Sequence, residues 1–315
     1  KHVVLFYTRP TRGYAFERRR DIHSVKRIYA PLSIMYLAST LEKAGFPVIL
    51  LDQRLMSDKE IDAKIMSAPE ILFFGISSMT GSQIMNGLSF AQSVRSKHGA
   101  EIPIVWGGVH PSIYPRQTIN HPLVDIIVCS EGDETIVELA QTLSDRKSLS
   151  MVNGLCIKSK NGIHMTPPRQ IINPDSLPIP AWHHLEEFLN PAQYPVLASI
   201  STSRGCWFNC TYCYKGGIGG KNMWRGFSVD RIMKEVDHLY KRYGFDIFEI
   251  ADDNFIFKAD RAIEIIRLFK NRGFKIPAIR SNFATYEDAL VKELSGFCDF
   301  VGYAPEIGSP KIQKY

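Results

Sequence analysis

Short apolar runs recur along the first 130 residues of the chain and alternate with amphipathic segments. The amphipathic segment PLSIMYLASTLEKAG, for example, follows one run and ends at a glycine, as helices often do. Apolar strands that alternate with helices predict a parallel sheet covered on both faces. The sequence therefore predicts an α/β fold with an N-terminal, Rossmann-like, doubly wound parallel sheet, whose strands fall near 3–7, 47–52, 71–77, 102–108 and 124–130.

The loops that follow these strands are candidate binding loops. Ligands of such sheets lie outside the carboxyl ends of the strands. Hydroxyl side chains and a glycine pair occupy these places, because Ser77, Ser78 and Thr80 follow one strand and Gly107 and Gly108 end another. Glycine lets a ligand approach the backbone closely, although a tight turn also explains a glycine pair, so both interpretations stay open.

Residues 151–194 have the composition of a linker. GLCIKS and GIHMTPP predict a small hairpin that turns at Asn161 and Gly162. The following stretch, INPDSLPIPAWHHLEEF, is rich in proline and predicts no regular structure. Because neighbouring side chains diverge in an extended segment, we interpret His183 and His184 as surface or interface residues rather than metal ligands.

Three cysteines form a C-x3-C-x2-C run after the strand-like segment LASIS. A structural zinc site has four closed ligands, and no second cysteine pair follows Cys206, Cys210 and Cys213. Disulfide exchange requires an isolated C-x2-C. Three thiolates can instead hold a [4Fe–4S] cluster through three irons and leave the fourth open to a ligand. The spacing therefore predicts an iron–sulfur cluster with one open coordination site.

Composition narrows the setting of this chemistry. The 315 residues include six irregularly spaced cysteines, which do not form a disulfide framework, and no apolar stretch reaches the roughly 18–20 residues of a membrane span. We therefore expect a cytoplasmic protein without a membrane span. Lys and Arg number 38 against 32 Asp and Glu, and many lie between Arg9 and Arg27. That run predicts a solvated loop or an anion contact, and no nucleic-acid motif accompanies it.

The cysteine run resembles the signature of radical S-adenosylmethionine enzymes, C-x3-C-x-aromatic-C, with Tyr212 in the aromatic place. In that family the open iron binds the amino and carboxylate groups of S-adenosylmethionine, whose cleavage gives a 5′-deoxyadenosyl radical. Ile307 replaces the usual serine of the family's G-x-E-S-G-S segment. The resemblance implies that the contacts to S-adenosylmethionine come from Tyr212, Asp252, Asp253, Arg280, Ser281 and Glu306; a helix-capping role for either aspartate is the alternative.

The second half of the chain holds about four strand–helix units, whereas the family's partial barrel has about six. We therefore expect a C-terminal partial (β/α) barrel that lacks its C-terminal portion, so that the natural polypeptide continues beyond Tyr315. The predicted domains are 1–150, a cobalamin-binding Rossmann-like domain; 151–194, a linker; and 195–315, the radical S-adenosylmethionine barrel.

The assignment of the first domain follows from a second resemblance. A doubly wound domain containing GISSMTG, VWGGVHPS and SEGDET ahead of such a barrel resembles the cobalamin-binding subclass. Arg54 stands where the cobalt-coordinating histidine would be, and Ser57 where a glycine would be, so histidine coordination is not expected. The implied cobalamin contacts are Arg54, Ser77, Ser78, Thr80, Gly107, Gly108, Val109, Glu131 and Gly132.

These resemblances imply a cobalamin-dependent radical methyltransferase that acts on an unactivated carbon of a small molecule, with S-adenosylmethionine as both methyl and radical source and flavodoxin or ferredoxin as electron donor. Cyclisation, ring contraction or oxidation by the same architecture is the main alternative. A methylthiotransferase is disfavoured, because it would need a second cluster held by three cysteines, and only Cys129 and Cys156 precede the three-cysteine loop. An electron carrier is disfavoured because its cluster irons are all ligated by protein.

Overall fold

A computed structural model describes residues 1–10, 28–159, 162–189, 196–215, 223–282, 285–302 and 309. The chain forms two compact units. The N-terminal unit comprises 1–196 and 211–219, and the C-terminal unit comprises 197–210 and 220–315. The basic segment 11–27, Asn161 and Glu306 lie outside the described residues.

A seven-stranded sheet organises the N-terminal unit, in the order β3-β1-β4-β5-β6-β7-β8. Strands β1 and β3 to β6 are parallel, which confirms the predicted α/β class. The strand order reverses at β1 and β4, so this is the point at which doubly wound sheets bind ligands. The strands of this sheet are β1 His2–Tyr7, β3 Val48–Asp52, β4 Ile71–Ser77, β5 Ile104–Gly107, β6 Ile126–Val128, β7 Leu155–Ser159 and β8 Gly162–Met165. The short strand β2, Ile28–Tyr29, is not part of it.

Six described helices belong to this unit: α1 Leu32–Lys43, α2 Asp58–Met66, α3 Ser82–His98, α4 Val109–Ile113, α5 Pro115–Ile119 and α6 Asp133–Ser144. The α2 helix was not predicted. Ser57 begins it with a capping box, in which its side chain accepts from the Glu60 amide while Glu60 accepts from the Ser57 amide. Ser57 therefore has a local structural role at the position where the cobalamin motif has glycine.

Apolar side chains on both sheet faces form the core. The Phe6 ring of β1 stacks on Phe90 of α3, with ring centroids 3.8 Å apart. Gly87 lets α3 approach β5, because a Cβ there would lie 2.7 Å from the Trp106 ring. Burying one such large side chain stabilises the fold by about 1.5–3 kcal/mol, so the apolar strands fix where the loops at their ends lie.

The predicted hairpin is confirmed and extends the main sheet, although Gly162 begins β8 instead of lying in the turn. Strand β7 pairs antiparallel with β6, and β8 returns along β7 with Ser159 opposite Gly162. The prediction that the proline-rich stretch lacks regular structure is wrong. The stretch contains 3₁₀ helices at Pro174–Ser176 and Trp182–Phe188. A further 3₁₀ helix, Leu149–Met151, precedes the hairpin.

Parallel strands and helices alternate in the C-terminal unit, as predicted. Strand β9 pairs parallel with β12, and β13 pairs parallel with β14. Ser228 caps α7 by accepting from the Arg231 amide, and Gly244 ends it in the left-handed region. The elements are β9 Val196–Ile200, β10 Ser203–Arg204, β11 Arg225–Gly226, α7 Val229–Tyr243, β12 Phe248–Ile250, a 3₁₀ helix at Phe255–Phe257, α8 Ala259–Asn271, β13 Ala278–Arg280, α9 Asp288–Leu294 and β14 Phe300–Gly302.

Within the described ranges, none of the helices combines the length and the apolar character that crossing a membrane requires.

Candidate functional sites

Arg54 is fixed by Asp52 at the carboxyl end of β3. Its Nε lies 2.9 Å from Asp52 Oδ1 and its Nη2 lies 2.5 Å from Oδ2, and the guanidinium covers the Tyr7 ring at 4.4 Å. Burial lowers the pKa of Arg54, but the bonds and charge of Asp52 outweigh this effect and raise the pKa above its ordinary value. Arg54 is thus a neutralised, positioned cation, and a guanidinium has no lone pair to offer a metal.

A close backbone approach joins the ends of β4 and β5. Gly108 has φ +94°, and a Cβ there would lie 2.8 Å from the Ser78 carbonyl oxygen and 3.2 Å from Ser77 Oγ. The Ser78 amide donates to the Gly107 carbonyl at 3.0 Å. Only glycine fits this position without strain, so the glycine pair serves more than an ordinary turn.

Among the described residues, the Ser78 hydroxyl has no hydrogen-bond partner. Its residue is 1% exposed, and its Oγ is buried without a hydrogen bond. Buried polar groups are normally satisfied, so an orphaned hydroxyl beside a glycine cradle fits a ligand's polar group. That this group belongs to cobalamin stays a prediction.

The neighbouring loops supply further polar groups. Thr80 Oγ1 lies 3.1 Å from His110 Nδ1, so His110 takes part in a hydrogen bond between the two loops, and burial lowers the pKa of that imidazole. Val109 begins α4, while Glu131 and Gly132 immediately precede α6. Ser130 there adopts φ 64° and its amide donates to Ser112 Oγ at 2.9 Å. These loops all follow parallel strands of one sheet edge.

The cysteine loop starts from a constrained glycine. Gly205 has φ +80°, and a Cβ there would lie 2.1 Å from the Met223 carbonyl oxygen. The Met223 amide in turn donates to the Cys206 carbonyl at 3.3 Å. The strand-like segment before the loop thus delivers Cys206 through a turn that only glycine can make. The spacing C-x3-C-x2-C did not itself reveal this requirement.

All three cysteines of the loop are free and half-buried. Tyr212, in the aromatic place of the signature, is exposed, and Trp207 stacks on Phe257 with ring centroids 5.7 Å apart. Among the described residues, Cys206, Cys210 and Cys213 are not a group whose ligand atoms all lie within 4.8 Å of one another. Their convergence on a cluster therefore stays a prediction.

Asp252 holds the strand end that precedes the cysteine loop. Its Oδ1 accepts from the Thr202 amide at 2.6 Å, and its Oδ2 accepts from the hydroxyls of Thr202 at 2.5 Å and Ser203 at 2.7 Å. Burial raises the pKa of Asp252, although these hydrogen bonds act in the opposite direction. Neither Asp252 nor Asp253 caps the next 3₁₀ helix, whose N-cap residue is Asn254. Asp253 is exposed, so it is the better placed of the two acids for a ligand.

The remaining predicted contacts lie near the end of β13. Arg280 is exposed, and the half-buried Ser281 hydroxyl donates to Asn254 Oδ1. Asn254 is fully buried and its Nδ2 has no hydrogen-bond partner in the structure. This second orphaned polar atom lies beside Ser281, a residue that the resemblance assigns to S-adenosylmethionine.

Sequence reasoning missed one group of possible ligands. Among the described residues, the only set of three His, Cys, Asp or Glu ligand atoms within 4.8 Å of one another belongs to Glu42, His183 and His184. The rings of the two histidines lie 4.4 Å apart, so the expectation that they diverge is wrong. The 3₁₀ helix brings them together, and the adjacent pair of histidines was the only signal in the sequence.

Two family models match the chain. A B12 binding domain matches residues 19–140, and the radical SAM superfamily matches residues 200–315. The two matches lie in the order that the cobalamin-binding subclass predicts.

Curated relatives agree with this order. An uncharacterised methyltransferase of Pyrococcus horikoshii is 31% identical over 93% of this chain and 65% of its own length. Cytidylyl-2-hydroxyethylphosphonate methyltransferase of Streptomyces wedmorensis is 28% identical over 80% of the chain and 56% of its own length. Anaerobic magnesium-protoporphyrin IX monomethyl ester cyclase of Synechocystis is 27% identical over 71% and 45%. The chain thus spans about half to two thirds of the length of these relatives.

Solved structures share the fold. The cobalamin-dependent S-adenosylmethionine radical enzyme OxsB, with aqua-cobalamin and S-adenosylmethionine bound, has a TM-score of 0.77 and 22% identity over 99% of this chain and 45% of its own. The radical S-adenosylmethionine methyltransferase TsrM of Kitasatospora setae, with cobalamin and a [4Fe–4S] cluster bound, has a TM-score of 0.74 and 16% identity over 98% and 59%. With its B12-binding domain followed by a radical SAM domain, the chain belongs to the cobalamin-dependent radical S-adenosylmethionine proteins.

Proposed function

We propose that the chain is the cobalamin- and S-adenosylmethionine-binding part of a radical methyltransferase that methylates an unactivated carbon of a small molecule. One observation carries the proposal: a single chain joins a glycine cradle with an orphaned hydroxyl, in its B12-binding domain, to a three-cysteine loop in its radical SAM domain. Both sites follow the carboxyl ends of parallel strands, where α/β folds bind ligands.

The C-terminal unit holds the radical-generating cofactors in this proposal. Cys206, Cys210 and Cys213 ligate the [4Fe–4S] cluster, and Gly205 sets the direction in which the loop leaves the strand. Asp253 binds the ammonium group of S-adenosylmethionine, because the oxygens of Asp252 already accept from Thr202 and Ser203. The remaining contacts are assigned to Tyr212, Arg280, Ser281 and Glu306.

The N-terminal unit holds cobalamin along its sheet edge. Gly107 and Gly108 let the tail approach the backbone, and the Ser78 hydroxyl gains the partner that it lacks within the protein. Arg54, held by Asp52, would contact cobalamin without coordinating its cobalt, because a guanidinium has no free lone pair. The other assigned contacts are Ser77, Thr80, Val109, Glu131 and Gly132.

When bound, the cluster with S-adenosylmethionine supplies the radical that removes a substrate hydrogen, and cobalamin supplies the methyl group. The protein's own residues orient these groups and limit their exposure to water. A flavodoxin or ferredoxin serves as the electron donor. Because free thiols and such clusters persist in reducing compartments, we place the enzyme in the cytoplasm.

Anaerobic reconstitution tests the cluster. The parent chain should bind four irons per polypeptide, as a [4Fe–4S] cluster requires, whereas changing Cys206, Cys210 and Cys213 together to Ala should abolish binding. Gly205→Ala should also reduce loading. Gly244→Ala is its matched control, because Gly244 has a similar positive φ of 74° and nothing within 4 Å of its Cβ position. A full cluster in the triple variant contradicts the assignment.

A separate measurement tests whether the enzyme transfers a methyl group to its product. S-adenosylmethionine with a labelled methyl group should transfer the label into the product of the full-length enzyme, and mass spectrometry measures it. The cyclase relative keeps a second outcome open, since the same sites serve cyclisation, ring contraction or oxidation. A product without label assigns the protein to that alternative.

A further inference from the structure

Glu42 and the histidine pair converge at the end of α1. His183 Nε2 lies 3.1 Å and His184 Nε2 lies 2.7 Å from the same oxygen, Glu42 Oε1. Burial raises the pKa of Glu42, but the hydrogen bonds and charges of the two histidines outweigh it and lower the pKa below its ordinary value. Glu42 is therefore a carboxylate, and both rings present their Nε2 atoms to it.

Backbone and side-chain contacts hold the histidine-bearing 3₁₀ helix in place. The Ala181 amide donates to the Met35 carbonyl at 3.1 Å, which joins the start of the 3₁₀ helix to α1. Lys64 pairs with Glu187 at 2.7 Å and holds the same segment to α2. The fully buried Trp182 and Leu185 anchor it in the core. Little conformational entropy therefore remains to be lost when a ligand binds.

The three donor atoms suit a divalent transition-metal ion. Imidazole nitrogens and a carboxylate oxygen bind Zn²⁺ at about 2.0–2.2 Å, and ligands at the corners of a tetrahedron then lie about 3.4 Å apart. The observed separations of 2.7 and 3.1 Å approach this spacing, so small side-chain rotations suffice. The side chains of His183, Glu42 and His184 are 52%, 28% and 16% exposed, which leaves a path for the ion and for water as a fourth ligand.

The location separates this group from the proposed cobalamin contacts. Helix α1 ends just before β3 begins, and the Val3 amide at the start of β1 donates to the Pro47 carbonyl. Glu42 thus lies at the edge where the strands start, opposite the edge formed by their carboxyl ends. We propose that Glu42, His183 and His184 bind one divalent transition-metal ion, best represented by Zn²⁺, which fastens the 3₁₀ helix to the end of α1.

Zinc titration of the whole chain tests the proposal. The chain should carry Cys206→Ala, Cys210→Ala and Cys213→Ala, because the loop thiols would otherwise bind Zn²⁺ themselves. Isothermal titration calorimetry should find one equivalent of Zn²⁺ bound. Replacing one ligand, as in Glu42→Gln or His183→Asn, should weaken binding at least about tenfold. His183 is exposed and Glu42→Gln is isosteric, so both variants should keep the fold, which circular dichroism checks.

His164→Asn is the matched control, because His164 is an exposed histidine of β8 outside the group. It should leave the affinity unchanged. Zn²⁺ should also raise the unfolding midpoint of the parent and of His164→Asn, but not those of the two ligand variants, because a ligand stabilises only a fold that binds it. Absence of binding by the parent, or equal binding by all variants, overturns the proposal.

Discussion

Asp52 and Asp252 stand at similar places in the two units but are held differently. Each lies at, or two residues beyond, the carboxyl end of a parallel strand. Asp52 pairs with the guanidinium of Arg54, which also covers Tyr7. Asp252 accepts only from neutral donors among its described bonds, the amide and hydroxyl of Thr202 and the hydroxyl of Ser203.

This difference separates two ways of holding a buried aspartate beside a predicted ligand site. At the first aspartate a buried cation pairs with the side chain, and this partner raises the pKa of Arg54 above its ordinary value. Neutral donors compensate burial only in part, so the pKa of Asp252 is raised. The first edge, at the end of β3, therefore depends on the ion pair of Asp52 and Arg54. The second edge, after β12, depends on the hydrogen bonds of Asp252, which fix the chain before the cysteine loop.

Removing the Arg54 guanidinium should cause the largest loss of stability. Arg54→Ala leaves the fully buried Asp52 carboxylate without its partner, which should lower the free energy of unfolding by about 3–5 kcal/mol. Urea denaturation followed by circular dichroism measures this loss. Lys97→Ala is the control, because Lys97 pairs with Asp62 at the exposed surface of the same unit and should cost about 0–1 kcal/mol. Equal losses in the two variants would remove the distinction.

Glu235 sharpens the comparison, because it has an arginine partner and still a raised pKa. Burial raises its pKa to about 7, against the opposing effect of Arg231, which reaches one oxygen at 2.9 Å while Oε1 has no partner. The folded state therefore prefers the protonated acid. Glu235 does not lower the free energy of unfolding below its ordinary pKa of 4.5. The free energy of unfolding falls as the pH rises from there towards 7, and the full loss is present above pH 7.

Glu235→Gln should remove this pH dependence. Between pH 4 and 8 the stability of the variant relative to the parent should rise by roughly 3 kcal/mol, since each pKa unit corresponds to about 1.4 kcal/mol. Urea denaturation at a series of pH values measures the trend. Glu293→Gln, at a half-buried acid paired with Lys270 and Arg267, should show no such gain at high pH. Parallel pH curves for the parent and Glu235→Gln would refute the prediction.

The paired aspartates of the second edge should separate binding from stability. Asp253→Asn should weaken S-adenosylmethionine binding by about 10- to 150-fold, the equivalent of a charge-assisted hydrogen bond of roughly 1.5–3 kcal/mol. Asp252→Asn should instead lower the free energy of unfolding by about 1–2 kcal/mol. Equilibrium binding to the cluster-loaded protein and urea denaturation give the two readouts. Loss of affinity in Asp252→Asn alone, with unchanged stability, would exchange the two roles.

The glycine cradle of the first edge should give the smallest effect. Gly108→Ala places a methyl group 2.8 Å from the Ser78 carbonyl oxygen and should weaken cobalamin binding by roughly tenfold, or about 1.4 kcal/mol. Gly99→Ala is the control, because Gly99 also has positive φ but nothing within 4 Å of its Cβ position. Titration of the chain with cobalamin measures both. Equal affinities in the two variants would argue for a simple turn.

The parallel strands and several helix ends were predictable because their signals are local. Apolar runs identified β1, β3, β4, β5 and β6, and Ser228 and Gly244 marked the ends of α7. The α2 helix carried the same kind of signal in Ser57 and Glu60, which form its capping box, but the prediction did not include this helix. The three-cysteine loop was likewise identified by spacing alone.

Contacts between distant residues could not be read in this way. Fifty positions separate Thr202 from Asp252, and the sequence shows two adjacent aspartates without indicating which one turns to the strand. Glu42 and His184 are 142 positions apart, and a proline-rich segment gave no sign of the 3₁₀ helix that joins them. The close approach of Gly205 to the Met223 carbonyl oxygen, which leaves no room for a Cβ, likewise exists only in the folded chain.

The hairpin of β7 and β8 limits how long a growing chain is at risk of mispairing. Without β7, strand β6 would present an open edge to any other nascent chain. Strand β7 follows β6 after α6, and its residues pair with β6 across 27 to 31 positions of sequence, as Val128 with Leu155 and Ile126 with Ile157 show. At translation rates of about 5–20 residues per second, the synthesis from the end of β6 at Val128 to the end of β7 at Ser159 takes roughly 2–6 seconds. Crowded polysomes would thus meet an exposed β6 only for that interval.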